Sequence, residues 1–444
     1  MTRMEQQAQP KPFWLDGNFA PVFEEQTAFD LKVTGNIPPE LNGRYFRNGA
    51  NPPSGKSHDW FLACGMIHGV ELKHGKAIWY RNRYVQTALL EEDTPSPESR
   101  SKLENSIANT HIIGHAGKIF ALAELSLPIE MSSELETVGP YRFDGHLNGN
   151  MTAHPRICPI TGELLFFGYG LRPPFLTYYR ASADGQLVQQ EQIAVKGATM
   201  MHDFNITENY VIFMDLPMVW DFGERESGGL GVKFDPDYGA RLGIMPRTGN
   251  NKDVIWFDIE PCYVYHTMNA YEAGDEIVLE GCRMVGYMAE GMTKPPLPKL
   301  HRWRMNLVTG SVREEQIDDL GVDFPRVPDH LVGQAHRYGY TAEFGQDAPT
   351  VDAFHKYDMH SGNKSSHYLK DGRTGSEAVF VPAANASNED DGYLMSFVFD
   401  PAENKSELVI FDASNMANEP VARIHLPARV PAGFHGSWIA SSGE

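Results

Sequence analysis

At 444 residues, the chain has the length of two or three ordinary domains or of one large closed β fold. Its 38 Lys and Arg against 58 Asp and Glu leave a formal charge of −20, which makes the bulk surface unsuited to nucleic acid, since phosphates need clustered cations. Residues 1–13 are polar, and no run approaches the roughly 18 apolar residues that span a bilayer, so a cytoplasmic protein is expected.

Cys64, Cys158, Cys262 and Cys282 form no CxxC pair, which argues against a zinc ribbon or a disulfide frame and for buried thiols. The 41 Gly and 30 Pro are spread along the chain, with 11% aromatic residues. That distribution suits many short strands joined by turns. In chain order, strands are predicted at 77–85, 118–123, 163–169, 210–214, 276–280, 393–399 and 406–411, each rich in β-branched or aromatic side chains and most with turn residues close by. An apolar strand after a small turn recurs, as in Gly114-His115-Ala116-Gly117-Lys118, Thr161-Gly162-Glu163, Thr207-Glu208-Asn209-Tyr210 and Ala273-Gly274-Asp275-Glu276. The spacing of these starts is on the scale of propeller blades, with two packed β-sandwiches as the alternative. The Gly- and Pro-rich stretches 224–249 and 293–299 are expected to be long loops on one body, so a single unit over 1–444 is predicted, with residues 1–30 as a peripheral extension.

Four histidines sit in distinctive settings: Thr152-Ala153-His154-Pro155, Met201-His202-Asp203-Phe204, Tyr265-His266-Thr267-Met268 and Gly433-Phe434-His435-Gly436. They are 48, 64 and 169 residues apart, so each would come from a separate blade. Inner strands of every blade converge on a propeller axis, whereas a sandwich offers no such point. Neutral imidazoles leave a divalent iron, copper or zinc its full charge and can leave coordination positions open. Other histidines, such as His111, His115, His355, His360 and His367, occupy more polar surroundings and are expected on the surface or in loops. No Ser, His or Cys triad is apparent, and Gly228-Gly229-Leu230-Gly231 lacks the preceding strand of a dinucleotide fingerprint.

These histidines, together with residues 37–52 (IPPELNGRYFRNGANP), Gly65-Met66-Ile67-His68, Ala121-Leu122-Ala123-Glu124, Asp323-Phe324-Pro325-Arg326, Ser376-Glu377-Ala378-Val379-Phe380-Val381-Pro382 and Glu389-Asp390-Asp391-Gly392, make the chain resemble the carotenoid cleavage oxygenase family. The resemblance runs over residues 37–438. It implies an all-β, seven-bladed propeller with a cap of loops and short helices over a metal axis. It implies that His154, His202, His266 and His435 hold Fe(II), and that Glu124, Asp323 and Glu377 orient three of them. Asp323 departs from the family's usual Glu, and a reach through water or a small backbone shift is expected. Ala63 and Cys64 depart from a usual Gly and Asp, and Cys64 is expected to be inert.

The activity implied is oxygen-dependent cleavage of a C=C bond into two carbonyl products. Expected partners are dioxygen and an apolar conjugated molecule; the segments 171–179 and 216–220 are candidates for an apolar tunnel mouth touching a membrane or micelle, with an ordinary buried loop as the favoured alternative. Tunnel candidates are Phe46, Phe61, Tyr84, Ala123, Phe204, Tyr265, Met268 and Phe434, since stacking and burial stabilise conjugated chains. The stilbene-cleaving branch commonly carries a phenol-binding Lys where this chain has Ala123, which favours a carotenoid or apocarotenoid over a stilbene or phenylpropenoid. Two rivals are an isomerase or ester hydrolase built on the same centre and a non-catalytic propeller serving as an interaction platform.

Overall fold

The computed structural model describes residues 11–90, 96–221, 223, 231–286, 296–345 and 349–441. Among these, seven antiparallel sheets of four or five strands form the blades of a β-propeller, with one extra two-stranded ribbon. Within a blade the chain runs from strand to adjacent strand, as in His111–His115, Lys118–Leu122, Ile129–Met131 and Thr137–Pro140.

Local chemistry explains these hairpins. His115 pairs with Lys118 across Ala116 and Gly117, both at positive φ, which is the two-residue turn whose twist matches the flanking strands. Burial then separates inner from outer strands. Leu164–Tyr169 is buried at every position because other blades pack on both of its faces, whereas Leu187–Gln192 at the rim alternates half-buried and exposed.

The ring closes from both ends of the chain. Gly436–Ala440 becomes the innermost strand of the blade built on Gly43–Ala50, Gly65–Lys73 and Lys76–Tyr84. Val33–Gly35 becomes the outermost strand of the blade holding Val379–Pro382, Gly392–Asp400, Lys405–Asp412 and Ala422–His425. Innermost strands touch around the axis: Gly436–Ala440 lies between His111–His115 and Val379–Pro382, and Tyr263–Ala273 lies between Asn205–Ile206 and Val322–Arg326.

Three expectations change. The stretch 224–249 is a long loop only in part: residues 224–230 lie outside the described residues, but Val232–Phe234 pairs with Met218–Trp220 and Ala240–Pro246 is a buried blade strand. Flanking Gly and Pro masked its apolar pattern. Of the stretch 293–299, residues 293–295 lie outside the described residues, 296–298 have no regular structure, and Lys299 opens a strand, Lys299–Asn306. The N-terminal segment is not peripheral from residue 13 onward. The Asn18 carbonyl accepts from Ala432 N at 2.8 Å, Asn51 bonds Val22 through both N–H and C=O, and Arg429 donates to the carbonyls of Asn18, Ala20 and Pro21. All four cysteines are free and buried, and no described helix is long and apolar enough to cross a membrane.

Candidate metal centre

The four histidines sit at the axial ends of innermost strands. His154 lies just before Arg156–Ile157, His202 before Asn205–Ile206, and His435 immediately before Gly436–Ala440. His266 is inside Tyr263–Ala273, where the pairing register shifts between Val264 and Thr267 and the strand bulges. One nitrogen from each ring lies within 4.8 Å of the others, and His202 Nε2 is 3.3 Å from His266 Nε2. Such mutual proximity of four imidazoles leaves room for a single small cation and little else.

Three carboxylates turn three of these rings. Asp323 Oδ1 accepts from His266 Nδ1 at 2.9 Å, and Glu377 Oε1 accepts from His435 Nδ1 at 3.0 Å. A Glu124 oxygen meets His202 Nδ1. A proton held on Nδ1 leaves the Nε2 lone pair free to face the axis, which is the tautomer a metal requires. Among the described residues no carboxylate pairs with His154. Its Nε2 is buried without a hydrogen-bond partner among the described residues, although a buried polar atom ordinarily finds one. A divalent cation bound by nitrogen fits this donor set.

For His154 and His435 the electrostatics agree with neutral ligands. Burial, reinforced by the neighbouring histidines, holds His154 well below the usual imidazole range. Burial also lowers His435, to about 4, against the opposing pull of Glu377. For His266, burial lowers the pKa, but the charge and hydrogen bond of Asp323 outweigh it and the net shift is upward. Burial would raise the Glu377 carboxyl, yet Arg326 and His435 together hold it well below its usual range.

The shorter Asp323 reaches its histidine directly, without a bridging water. A backbone irregularity makes this possible: the register shifts between Asp323 and Arg326, Phe324 adopts φ 51°, and its N–H donates to Asp323 Oδ1 at 2.9 Å.

The tunnel candidates divide. Tyr265 stands 5.4 Å from the His202 ring, and Ala123 is buried beside Glu124. Phe434, next to His435, stacks on Phe61 at 5.7 Å, and Phe61 is 39% exposed, so an aromatic row runs from the surface to a ligand-bearing segment. The other four belong elsewhere. Phe46, Phe204 and Met268 are buried in separate inter-strand cores, and the Tyr84 hydroxyl meets Asn51 and the Val22 carbonyl beneath the N-terminal segment. Strand alternation sends these side chains into core positions. Of the supposed tunnel mouths, Leu176, Tyr178, Leu216 and Met218 are core residues as well.

Other neighbours of the centre escaped the sequence reading. The Tyr169 hydroxyl donates to Glu124 Oε2, and Trp220 lies over the Tyr169 ring. Phe324 lies 5.4 Å from His266 and 5.2 Å from His435, a position its place in the Asp-Phe-Pro-Arg motif could have suggested. His111, expected at the surface, is buried 5.3 Å from His435 with Nδ1 on the Ala153 carbonyl. His115 and His355 are buried too, each satisfied by hydrogen bonds.

Fold and centre together define a propeller carrying a four-histidine cluster on its axis. A model of the retinal pigment epithelial membrane protein family matches residues 19–440. A carotenoid cleavage oxygenase of Mycobacterium tuberculosis is 38% identical over 98% of this chain and 99% of its own length. A carotenoid 9,10(9',10')-cleavage dioxygenase of Crocus sativus is 38% identical over 96% of this chain and 89% of its own. The crystal structure of a Pseudomonas brassicacearum lignostilbene dioxygenase superposes with a TM-score of 0.88 at 29% identity, covering 97% of this chain and 99% of that one. The chain belongs to this carotenoid oxygenase family. It is an alkene-cleaving dioxygenase of the carotenoid-cleavage type.

Proposed function

We propose that His154, His202, His266 and His435 hold ferrous iron and that the chain cleaves one C=C bond of a carotenoid or apocarotenoid. The observation that carries this reading is the convergence of four imidazoles, two of them with Nδ1 hydrogen-bonded to a carboxylate and a third with Nδ1 against one. Ferrous iron held by neutral ligands supplies the activation of dioxygen that the spin barrier otherwise prevents. One oxygen atom ends in each of the two carbonyl products, so no external reductant is required.

The protein's own part is positioning. Asp323 and Glu377 orient His266 and His435 and hold their Nδ1 protons, Glu124 stands against His202 Nδ1, and Tyr265, Phe324 and Phe434 offer apolar faces to a conjugated chain beside the centre. Ala123 brings no cation to a phenol, and the relatives at 38% identity are named for carotenoids. Phe13 is 41% exposed and stands edge-on to Trp60, which contacts Phe434. This row supports uptake of an apolar substrate from a membrane or micelle surface. The likeness to a lignostilbene dioxygenase favours a second reading, in which the same centre cleaves a hydroxystilbene.

Incubating the iron-loaded protein with an apocarotenoid, a hydroxystilbene and a phenylpropenoid, and identifying the aldehydes by mass, tests both. Cleavage of the apocarotenoid is expected, and cleavage of hydroxystilbenes alone would overturn the substrate assignment. His435→Ala is expected to lose stoichiometric iron. If the purified variant kept it, the four-histidine assignment would fall.

A further inference from the structure

The residues that follow three of the histidines are themselves joined. Arg156 stands two positions after His154, Asp203 one after His202, and Thr267 one after His266. Arg156 Nη2 donates to Asp203 Oδ1 at 2.8 Å and Oδ2 at 2.7 Å, and to Thr267 Oγ1 at 2.8 Å. Thr267 donates to Asp203 Oδ2 twice, from N and from Oγ1, each at 2.8 Å. Phe204 N donates to Asp203 Oδ1 at 2.8 Å, and Asn205 Nδ2 donates to Thr267 Oγ1 at 2.9 Å. Only 1% of the Asp203 side chain is exposed, so this carboxylate is satisfied entirely from within.

A buried carboxylate that accepts charge-assisted and backbone bonds from separate chain segments holds those segments at set distances. Here the segments come from three different blades, and each carries one of the four histidines within two residues. His435 stands outside the knot. Its N–H goes to the Thr110 carbonyl at 3.0 Å, and Gly436 N goes to Glu377 Oε2 at 2.9 Å.

We infer that Asp203 is a positioning residue that, through Arg156 and Thr267, locks His154, His202 and His266 into a preformed three-histidine half-site to which His435 adds a separately held fourth ring. The inference rests on the metal-binding reading above. None of the three knot residues touches the ring nitrogens that face the axis, so each acts only by setting where the histidine backbones stand.

The test is cobalt(II) binding to the metal-free full-length chain, followed by visible absorption and by competition with a chelator, alongside thermal melting of the metal-free protein. Thr267→Ser keeps the hydroxyl and is expected to bind within about twofold of wild type, Thr267→Val to lose about tenfold and Asp203→Asn about 100-fold. The cobalt spectrum of Thr267→Val should change shape, because ring placement changes, while that of Thr267→Ser should not. If Asp203→Asn fails to fold, the serine and valine pair decides. Wild-type affinity and spectrum in Thr267→Val would overturn the inference, even with a lowered melting temperature, since that pattern marks a purely structural knot. Wild-type protein that takes up no cobalt would overturn the metal reading, and this inference with it.

Discussion

His435 and His154 are both buried and their rings lie 4.6 Å apart, yet they are held by opposite means. His435 is turned by charge: its Nδ1 is bound to Glu377, which is itself fixed by Gly436 N and faced by Arg326 at 3.5 Å. His154 is pinned by backbone. Its N–H donates to Thr152 Oγ1 at 3.0 Å, the preceding carbonyl bonds His111, and Pro155 restricts the chain on its other side. A ring oriented by a buried carboxylate depends on one side chain, whereas a ring oriented by its own backbone depends on the fold as a whole.

The largest expected effect follows from that contrast. Glu377→Ala removes the acceptor of His435 and leaves the half-buried Arg326 with Asp329 as its remaining carboxylate, which should cost about 3 kcal/mol of stability. It should also weaken metal binding by about 10–100-fold. Thr152→Ala, on the His154 side, removes two neutral hydrogen bonds, one from His154 N and a longer one to the His202 carbonyl, and should cost only about 1–2 kcal/mol with little change in affinity. Denaturant unfolding of the metal-free protein and metal titration measure both. Equal losses from the two substitutions would break the comparison.

The sequence shows the charged side of this contrast better than the backbone side. The four histidines and Glu124, Asp323 and Glu377 stand in recognisable local motifs, and the predicted strands became blade strands because short apolar runs between turns admit few other folds. What the sequence hides is adjacency between blades. Asp203 looks like an ordinary polar neighbour of a histidine until Arg156 and Thr267 meet it, and Tyr169 looks like one more core aromatic at the end of a strand. Polar context misplaced His111, since a buried imidazole satisfied by a distant carbonyl leaves no local mark. Phe46, Phe204 and Met268 were misplaced for a related reason: apolar character does not say which face of a strand a side chain takes.

An intermediate effect is expected with pH. His154 and His435 are held below their ordinary value of 6.5, the latter at about 4, so below pH 6.5 the unfolded chain takes up protons that these folded rings refuse. Stability of the metal-free protein therefore falls as pH falls, by up to about 1.4 kcal/mol per unit for each such ring. His266 opposes this. Its raised pKa contributes stability that is fully present below 6.5 and is lost as pH rises through the folded value. Glu377, depressed below 4.5, adds stability that is present above that value and is lost at lower pH. With His154 and His435 lowered, His111 lowered to about 3 and His266 alone of these four raised, the net change from pH 6.5 to 5 is a loss. Denaturation midpoints across that range measure it. His154→Gln should make the slope shallower, and an unchanged slope would mean that the backbone-pinned ring is protonated in the folded chain.

The smallest effect concerns Asp323, where the shorter carboxylate stands in place of the family's Glu. Read alone, that difference invites Asp323→Glu as an improvement. The geometry argues otherwise, because the bond to His266 is already direct at 2.9 Å and the backbone has moved to make it so. Asp323 Oδ1 also holds Phe324 N in its positive-φ bend, and the buried Cys282 thiol, its pKa pushed well up by burial, hydrogen-bonds to the same carboxylate. An extra methylene must fit among these groups, and insertion into a packed interior typically costs about 1–3 kcal/mol. Asp323→Glu should thus lower stability slightly and change metal affinity by less than the roughly tenfold expected for losing an orienting partner outright. A gain of tenfold or more in cobalt affinity would show instead that the bend and Cys282 are adjustments to an inferior ligand support, and that charge orients His266 less well than it orients His435.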